Sequence, residues 1–496
     1  MGQIVSKDLN KNINILKTIL KDCDDIGYRT IKIGKNNKRE ACFVFSDGLI
    51  DKSLLSEYAI QLLLTISDDS TDLNLNSTEL DKIAKESIAI PEVKEEEDLD
   101  KIVDAILAGE TAFFVDKANK ALLLSSRGWP TRGVGEPDTE TVVRGPRDGF
   151  SETLKLNTTL VRRRIRDPKL KIKNMQIGRR SKTDIAIMYI EDIASLDILK
   201  EVNRRLDKVD IDAIIDSSML EFLIEDNYLS PFPQIENTER PDTLAASLCE
   251  GRIGIIVDNS PFALIVPATI GTLSQSAEDY YSRWTITTII RWVRLIAAFL
   301  SLLAPALYIA ITSFHPGLIP TILTYYLGAS RVNVPFPAVI EAYLMELTIE
   351  LLREAGTRIA GPIGTTIGIV GGLIIGQAAV EAGIVSPLMI IIVAITTISS
   401  FSLPSYEWAS GFRFCRFILM ALAGILGLYG IMLGIVILST HFARLESFGI
   451  PFSAPYSGLG IEEGDLKDTL VKAPIQNLEL RPIFTFPRNR RRIRKR

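Results

Sequence analysis

LIAAFLSLLAPALYIAITSFHPGLIPTILTYYLGAS, Leu295–Ser330, decides how the rest of the chain is read. It holds no Asp, Glu, Lys or Arg, and a helix needs ~20 apolar residues to cross a hydrocarbon core. Three more charge-free stretches follow: Ile359–Val380, Ala382–Tyr406 and Phe417–Thr440. Upstream of Trp284, charged residues recur every few positions. The mean hydropathy of +0.20 therefore averages two unlike halves and describes neither. The predicted fold class is an α/β soluble N-terminal region made of two similar subdomains, followed by an α-helical multi-span membrane domain.

Within the apolar half, Pro305, Pro316-Gly317 and Pro320 break Leu295–Ser330 into a span ending near Phe314 and a short piece, Leu318–Gly328. Pro335 and Pro337 open a helix over Ala338–Thr357. At ~100° per residue its Glu346, Glu350, Arg353, Glu354 and Thr357 share one side, with Glu341 nearly opposite. Such a helix belongs in an interface or beside a polar cavity. Closely spaced glycines over Gly361–Gly376 suit tight helix packing. Further spans are expected near Ser386–Leu403 and Arg416–Thr440. Arg283, Arg291 and Arg294 precede the first span, and the tail Arg481–Arg496 is densely cationic. Both ends are therefore expected in the cytoplasm, with an even number of crossings, four in this reading.

The soluble half reads as a duplication. Leu107–Asp116 (LAGETAFFVD) parallels Leu248–Asp258 (LCEGRIGIIVD), a helix ending at a glycine and then a β-rich run ending in Asp. A turn and a second apolar run follow in each, Ala121–Leu124 and Ala263–Val266. Cys42–Phe45 and Ile185–Tyr189 are matching strands that lead into helices. The expected divisions are 1–135, a first α/β subdomain; 136–169, a linker and basic helix; 170–283, a second subdomain; 284–445, the membrane domain; and 446–496, a basic tail.

Several chemistries are excluded. Cys23, Cys42, Cys249 and Cys415 show no ligand spacing, which predicts no disulfide framework. His315 and His441 lie far apart beside membrane segments. There is no GxSxG and no Cys–His pair, so neither catalysis nor a metal or other cofactor is expected. The N-terminus lacks the apolar run of a signal peptide. Met1–Ser6 fits a myristoylation pattern, which is short and matches by chance often. No GxxxxGK[ST] accompanies the glycines of Arg144–Phe150, which argues against nucleotide.

Two sets of residues are the candidates for function. Glu341, Glu346 and Glu350, with Thr365, Thr366 and Gln377, would line a pore or an acidic vestibule if several chains assemble around an axis. The bland reading is an interfacial helix with its acids in headgroup water. Arg144, Arg147, Arg162, Arg163, Arg164, Arg179 and Arg180 would contact carboxylates of a neighbouring subunit or lipid headgroups. The bland reading there is a cationic helix end with intradomain ion pairs. Pro231-Phe232-Pro233-Gln234 and Thr238–Asp242 read as packing connections.

Four strings in order, RGPRDGFSETLKLNTTLVRRRIRDP (Arg144–Pro168), GRRSKTDIAIMYIEDIA (Gly178–Ala194), PFPQIENTERPD (Pro231–Asp242) and EGRIGIIVDNSPFALIVP (Glu250–Pro267), resemble the A subunits of bacterial spore germinant receptors, the GerA family. A paralogous branch, the F protein of the SpoVA operon, shares them. The resemblance implies a multi-pass protein of the spore inner membrane that oligomerises, as a pentamer, into a nutrient-gated cation channel. It also implies a transporter-like B subunit, a lipoprotein C subunit and no nucleic acid. A non-conducting scaffold is the competing reading. Met1–Gly27 departs most from the shared pattern.

Overall fold

The structure, a computed structural model, describes residues 3–33, 39–61, 92–128, 135–358, 372, 375–456, 458–460 and 465–493. Its contacts separate two compact units. The first comprises Met1–Glu225, Ile235–Pro267 and Glu479–Arg496. The second comprises Asp226–Gln234 and Ala268–Leu478.

The first unit is built on two five-stranded antiparallel sheets. One contains β1 (Ile26–Ile33), β2 (Arg39–Ser46), β3 (Val93–Glu96), β4 (Thr111–Val115) and β5 (Ala121–Leu124), in the order β1-β2-β4-β5-β3. The other contains β6 (Leu170–Ile177), β7 (Thr183–Ile190), β8 (Glu236–Thr238), β9 (Ile253–Val257) and β10 (Ala263–Val266), in the order β6-β7-β9-β10-β8. The two orders are the same topology twice, as the duplicated sequence implies. Helices of eight or more residues are α1 (Leu9–Ile19), α2 (Leu99–Leu107), α3 (Leu154–Arg164), α4 (Leu196–Leu206), α5 (Ser217–Ile224) and α6 (Pro241–Glu250). Strand alternation sends Cys42 and Val44 against the helical layer of Leu9, Leu16, Leu99 and Ile102, while Phe43 points to the other face and stacks on Phe113 at 4.4 Å. Central strands β4 and β9 are buried along their whole length, which explains their unbroken apolar runs.

The repeat begins earlier than its sequence reading placed it. Asn12 accepts from Ser6 N (2.8 Å) and donates to Ser6 O (2.6 Å). Asn157 makes the same pair of bonds to Ser151. Lys117 N donates to Lys7 O and Asn259 N to Glu152 O, each at 2.7 Å, and both donors sit at positive φ. Each half thus starts with an Asn-anchored helix, α1 or α3, tied to the β4–β5 or β9–β10 turn. The N-terminal segment that departs from the shared pattern is therefore the first copy of this element.

The last residues also belong to this unit. Arg481 Nε donates to Cys249 O (2.7 Å), Thr485 Oγ1 to Glu250 O (2.9 Å) and Arg488 N to Ile193 O (2.9 Å). These bonds cover the end of α6, where Gly251 at φ +99 takes the left-handed C-terminal position that glycine fills without penalty.

The second unit is helical: α7 (Trp284–Ser313), α8 (Thr321–Ser330), α9 (Ala338–Arg358), α10 (Pro387–Phe401), α11 (Tyr406–Leu426) and α12 (Leu428–Arg444). Among the described residues, two helices, α7 and α11, are long and apolar enough to cross a membrane; α10 and α12 are apolar but shorter. The span expected over Arg416–Thr440 is not one helix. Gly427, at φ +61 and ψ −138, ends α11 and starts α12. A Cβ on Gly430 would lie 2.1 Å from Leu422 O, and one on Gly434 2.3 Å from Leu419 Cδ2. Pairs so distant along the chain touch only if the two helices run antiparallel. The glycines thus do two jobs: one makes the turn, and two let the helices close on each other.

Segment Asp226–Gln234 packs in this unit. Phe232 is 1 % exposed, with its ring 4.6 Å from Phe442 and 5.2 Å from Trp408. Gln234 O accepts from Ser447 Oγ (2.6 Å). The packing role read for Pro231–Gln234 is what the structure shows.

Candidate functional site: buried charge in the helical unit

Helix α9 is inside out by the standard of a water-soluble protein. Its apolar Ile340, Leu344, Leu347 and Leu351 are exposed, whereas Glu341 and Glu346 are fully buried. In water that arrangement wastes the apolar surface and strips two carboxylates of solvent. In hydrocarbon it is the favoured one, because ionisable groups turn to the bundle interior and find partners. Helix α7 presents Ile289, Val293, Ile296 and Phe299 outward in the same manner.

The two buried acids enter different clusters. Glu341 Oε1 accepts from Ser386 N (2.6 Å) and Ser386 Oγ (2.5 Å) at the start of α10, and Tyr308 OH lies 3.0 Å from the same hydroxyl. Arg331 is 3.6 Å from Glu341 Oε2. Glu346 faces Arg416 of α11 at 3.3 Å, with the two side chains 0 % and 1 % exposed. Arg416 also reaches Glu350 (3.4 Å), which pairs with Arg353 (3.3 Å) one turn on. Arg353 in turn lies 5.2 Å over the Phe401 ring. Among the described residues, both Glu346 carboxylate oxygens and the Nε and Nη1 of Arg416 lack a hydrogen-bond partner. The cluster is balanced in charge yet under-bonded, so its Coulomb gain is set against a desolvation cost of several kcal/mol per ion.

Of the pore candidates, Glu346 and Glu350 come together, while Glu341 stands in the other cluster. All three are paired with arginines, not open to a vestibule within the chain. Gln377 is exposed and donates to Glu381 (3.2 Å). Thr365 and Thr366 lie outside the described residues. Arg353 was read on the same side of the helix as Glu346 and Glu350, but Arg331 and Arg416 were missing from the sequence reading as partners. Their signal was available: an isolated cation between apolar runs needs a buried carboxylate.

The cationic candidates divide. Arg162 was expected to face a neighbour or headgroups, but it is buried. It grips Asp25 through Nε (2.8 Å) and Nη2 (3.0 Å), and also donates to Asp167 O and Leu170 O. It locks the first half of the α/β unit to the second. Arg164 likewise turns inward, to both oxygens of Asp148 (2.6 and 2.7 Å). Arg163 is exposed. Arg147 reaches Glu136 at 3.4 Å, and Arg144 is exposed. Arg179 and Arg180 pair with Asp212 across a neighbouring loop (2.8 and 3.6 Å), so the bland reading of that loop describes what it does within the chain.

Arg240 lies in Thr238–Asp242, which reads in the sequence as a packing connection. It is fully buried and donates to Glu140 O (3.0 Å), Pro146 O (2.8 Å) and Asp242 Oδ2 (2.9 Å). Thr238 Oγ1 donates to Glu140 Oε2 (2.6 Å), and Phe150 N to Glu239 O (2.7 Å). The strings RGPRDGF and NTERPD are thus held together, one clamping the other. Burial, reinforced by Glu236 and Glu239 and opposed by Thr238 and Arg240, pushes the Glu140 carboxyl up to about 7. Among the described residues, no three His, Cys, Asp or Glu side chains gather to hold a metal ion.

A duplicated antiparallel α/β unit joined to a helical unit with lipid-compatible outer faces and paired charges within defines the class: a polar domain carried by a membrane-type bundle. The family described as Bacillus/Clostridium GerA spore germination protein matches residues 14–484, and the chain belongs to it. It is 42% identical over 482 residues to spore germination protein KA of Bacillus subtilis (strain 168), covering 97% of this chain and 87% of that one. It is 41% identical over 487 residues to spore germination protein GerLA of Bacillus cereus, covering 98% and 97%. The crystal structure of the N-terminal domain of the A subunit of the Bacillus megaterium spore germinant receptor GerK3 aligns with a TM-score of 0.43 and 32% identity, over 54% of this chain and 98% of that one.

Proposed function

We propose that this chain is the membrane subunit of a spore nutrient germinant receptor, and that copies assemble around an axis to form a ligand-gated cation channel. Family membership supports the germination role. The buried Glu346–Arg416–Glu350–Arg353 cluster is the observation that carries the channel reading. Intramembrane charge is costly and marks ion paths or switches, and an under-bonded ion cluster can exchange partners at low cost. In the closed state Arg416 neutralises Glu346 and Glu350. In the open state those carboxylates turn to a shared conduit and attract cations. A transporter-like B subunit would hold the nutrient, and a lipoprotein C subunit would complete the complex in the spore inner membrane, with both chain ends cytoplasmic. Nutrient drives the change only through unequal affinity for the two packings.

Ion flux through the assembled complex in proteoliposomes tests this. E346Q and E350Q are expected to change the potassium-to-chloride permeability ratio. Unchanged ratios in a conducting complex would remove those acids from the path. Complete pairing of the described acids within one chain favours a second reading, a coupling scaffold. That reading predicts assembly defects without leak when polar residues replace small ones over Gly361–Val380.

A further inference from the structure

The helical unit contains a cavity of about 350 Å³ whose wall is divided in polarity. One end is polar, with Ser274, Arg291, Arg294, Tyr456 and Thr469; nearly all the rest is aliphatic or aromatic. Volumes of roughly 300–1,000 Å³ are typical of small-molecule sites. Two of its lining residues, Trp292 and Phe299, are 47% and 57% exposed on the outward face of α7. The cavity therefore opens sideways, where a bilayer's chains would lie. Leu295–Ser313, the part of α7 beyond Arg294, is about 28 Å long at 1.5 Å per residue, close to the ~30 Å hydrocarbon thickness. That places Arg291 and Arg294 at headgroup depth.

The polar end is cationic. Arg291 pairs with Asp279 (3.1 Å) and Asp468 (3.3 Å), and Arg294 pairs with Asp279 (3.0 Å). Lys472 bonds to Asp279 O and lies 4.8 Å over the Tyr280 ring. Among the described residues, three cations thus meet two carboxylates at this end, an excess of one positive charge. Among the described residues, the bonds of Arg294 run from its terminal nitrogens to Ser274 O and Asp279, and none uses its Nε–H. The cluster is a cation-rich end of a cavity whose remaining wall is largely hydrocarbon.

We propose that this cavity holds an acyl chain of an anionic phospholipid from the surrounding bilayer, with the lipid phosphate against Arg294. The slot accepts hydrocarbon, the excess charge selects the headgroup, and the lateral mouth admits the lipid without its leaving the membrane. The occupied site would brace α7 against α11 and α12. The inference rests on the bilayer placement of the helical unit but not on conduction.

Trp408 lines the cavity and is 3% exposed, beyond the reach of bulk lipid chains. The test uses the full chain carrying W129F, W284F and W292F, so that Trp408 alone fluoresces. It is reconstituted into phosphatidylcholine vesicles doped with brominated-chain phosphatidylglycerol or brominated-chain phosphatidylcholine. Quenching by the phosphatidylglycerol is expected at about five-fold lower mole fraction, since one headgroup-level cation contributes ~1 kcal/mol. R294Q should erase the preference and R294K keep it. A298F, which fills the slot while leaving every charge in place, should abolish quenching by both lipids. Glycerol 3-phosphate, a headgroup without chains, should not compete. Equal quenching by the two lipids, a preference that survives A298F, or displacement by glycerol 3-phosphate would each overturn the proposal. A chain that does not insert into vesicles overturns the bilayer placement as well. An inserted chain with no lipid preference overturns this inference alone.

Discussion

Arg162 and Asp25 are 1% and 9% exposed and bound through two nitrogens, so neither tolerates the loss of the other. R162M should destabilise the α/β unit by about 3–5 kcal/mol, because it leaves a carboxylate uncompensated in a low-dielectric site. Pulse proteolysis of the full chain in urea reads the loss, and adding D25N should recover part of it. Glu140 makes a different prediction. Its carboxyl titrates near 7 in the folded chain and near 4.3 when unfolded, so the folded state binds the extra proton between those values. Its contribution is fully present below about pH 4.3 and is lost as pH rises through about 7. E140Q should flatten that slope and gain up to about 3 kcal/mol relative to the parent above pH 7. A parent and variant with parallel stability profiles from pH 5 to 8 would show that Glu140 is not the group responsible. Neither Arg162 nor Glu140 announces itself in the sequence. A cationic run such as Arg162-Arg163-Arg164 reads as a solvated helix end, and only the fold shows that its first member points inward.

At the scale of elements, the strands and the duplicated topology were legible because the apolar runs Ala121–Leu124 and Ala263–Val266 are bounded by turns and buried on both faces. The helix that opens each repeat was equally present, as Ser6-x-x-Leu9-x-x-Asn12 and Ser151-x-x-Leu154-x-x-Asn157. The second copy was read as a basic helix, but its place in the repeat passed unseen because the shared residue is a polar asparagine, whose role is hydrogen bonding, not hydrophobic periodicity. N12A and N157A should each cost about 1–3 kcal/mol by orphaning backbone groups of Ser6 and Ser151. Their effects should add, since the two sites are separate, and a thermal melt of the double variant checks this. The α11–α12 turn was illegible for another reason. Hydropathy does not register a reversal made by one glycine in an apolar run. G430L should force the two helices apart and sharply reduce the yield of folded chain in detergent, whereas Ala at the exposed Tyr429 next to it should be tolerated.

For the whole molecule, the polarity of the helical unit's surfaces was foreseeable from charge spacing, and the identity of the ion partners was not. Glu346 and Arg416 are 70 positions apart, and sequence spacing says nothing about pairs brought together by packing. Charge reversal across that pair, E346R with R416E, should restore the folded yield lost in either single variant, read by size-exclusion chromatography of the purified chain. Failure of the double exchange to recover that yield would show that the pair's surroundings, and not its mutual attraction, set the packing.

The closing segment of the chain has a further bearing on how the protein is threaded. The backbone leaves the α/β body at Pro267 and rejoins that same body at Glu479. A strand of thread that starts and finishes on one bead must pierce any sheet lying across its path an even number of times. An even passage count is therefore the expectation for a bilayer-inserted form. The α/β body is also left without its final piece, the cover over the end of α6, until every apolar helix has been made. A reporter fused after Arg496 should therefore share its compartment with one placed in the β6–β7 turn.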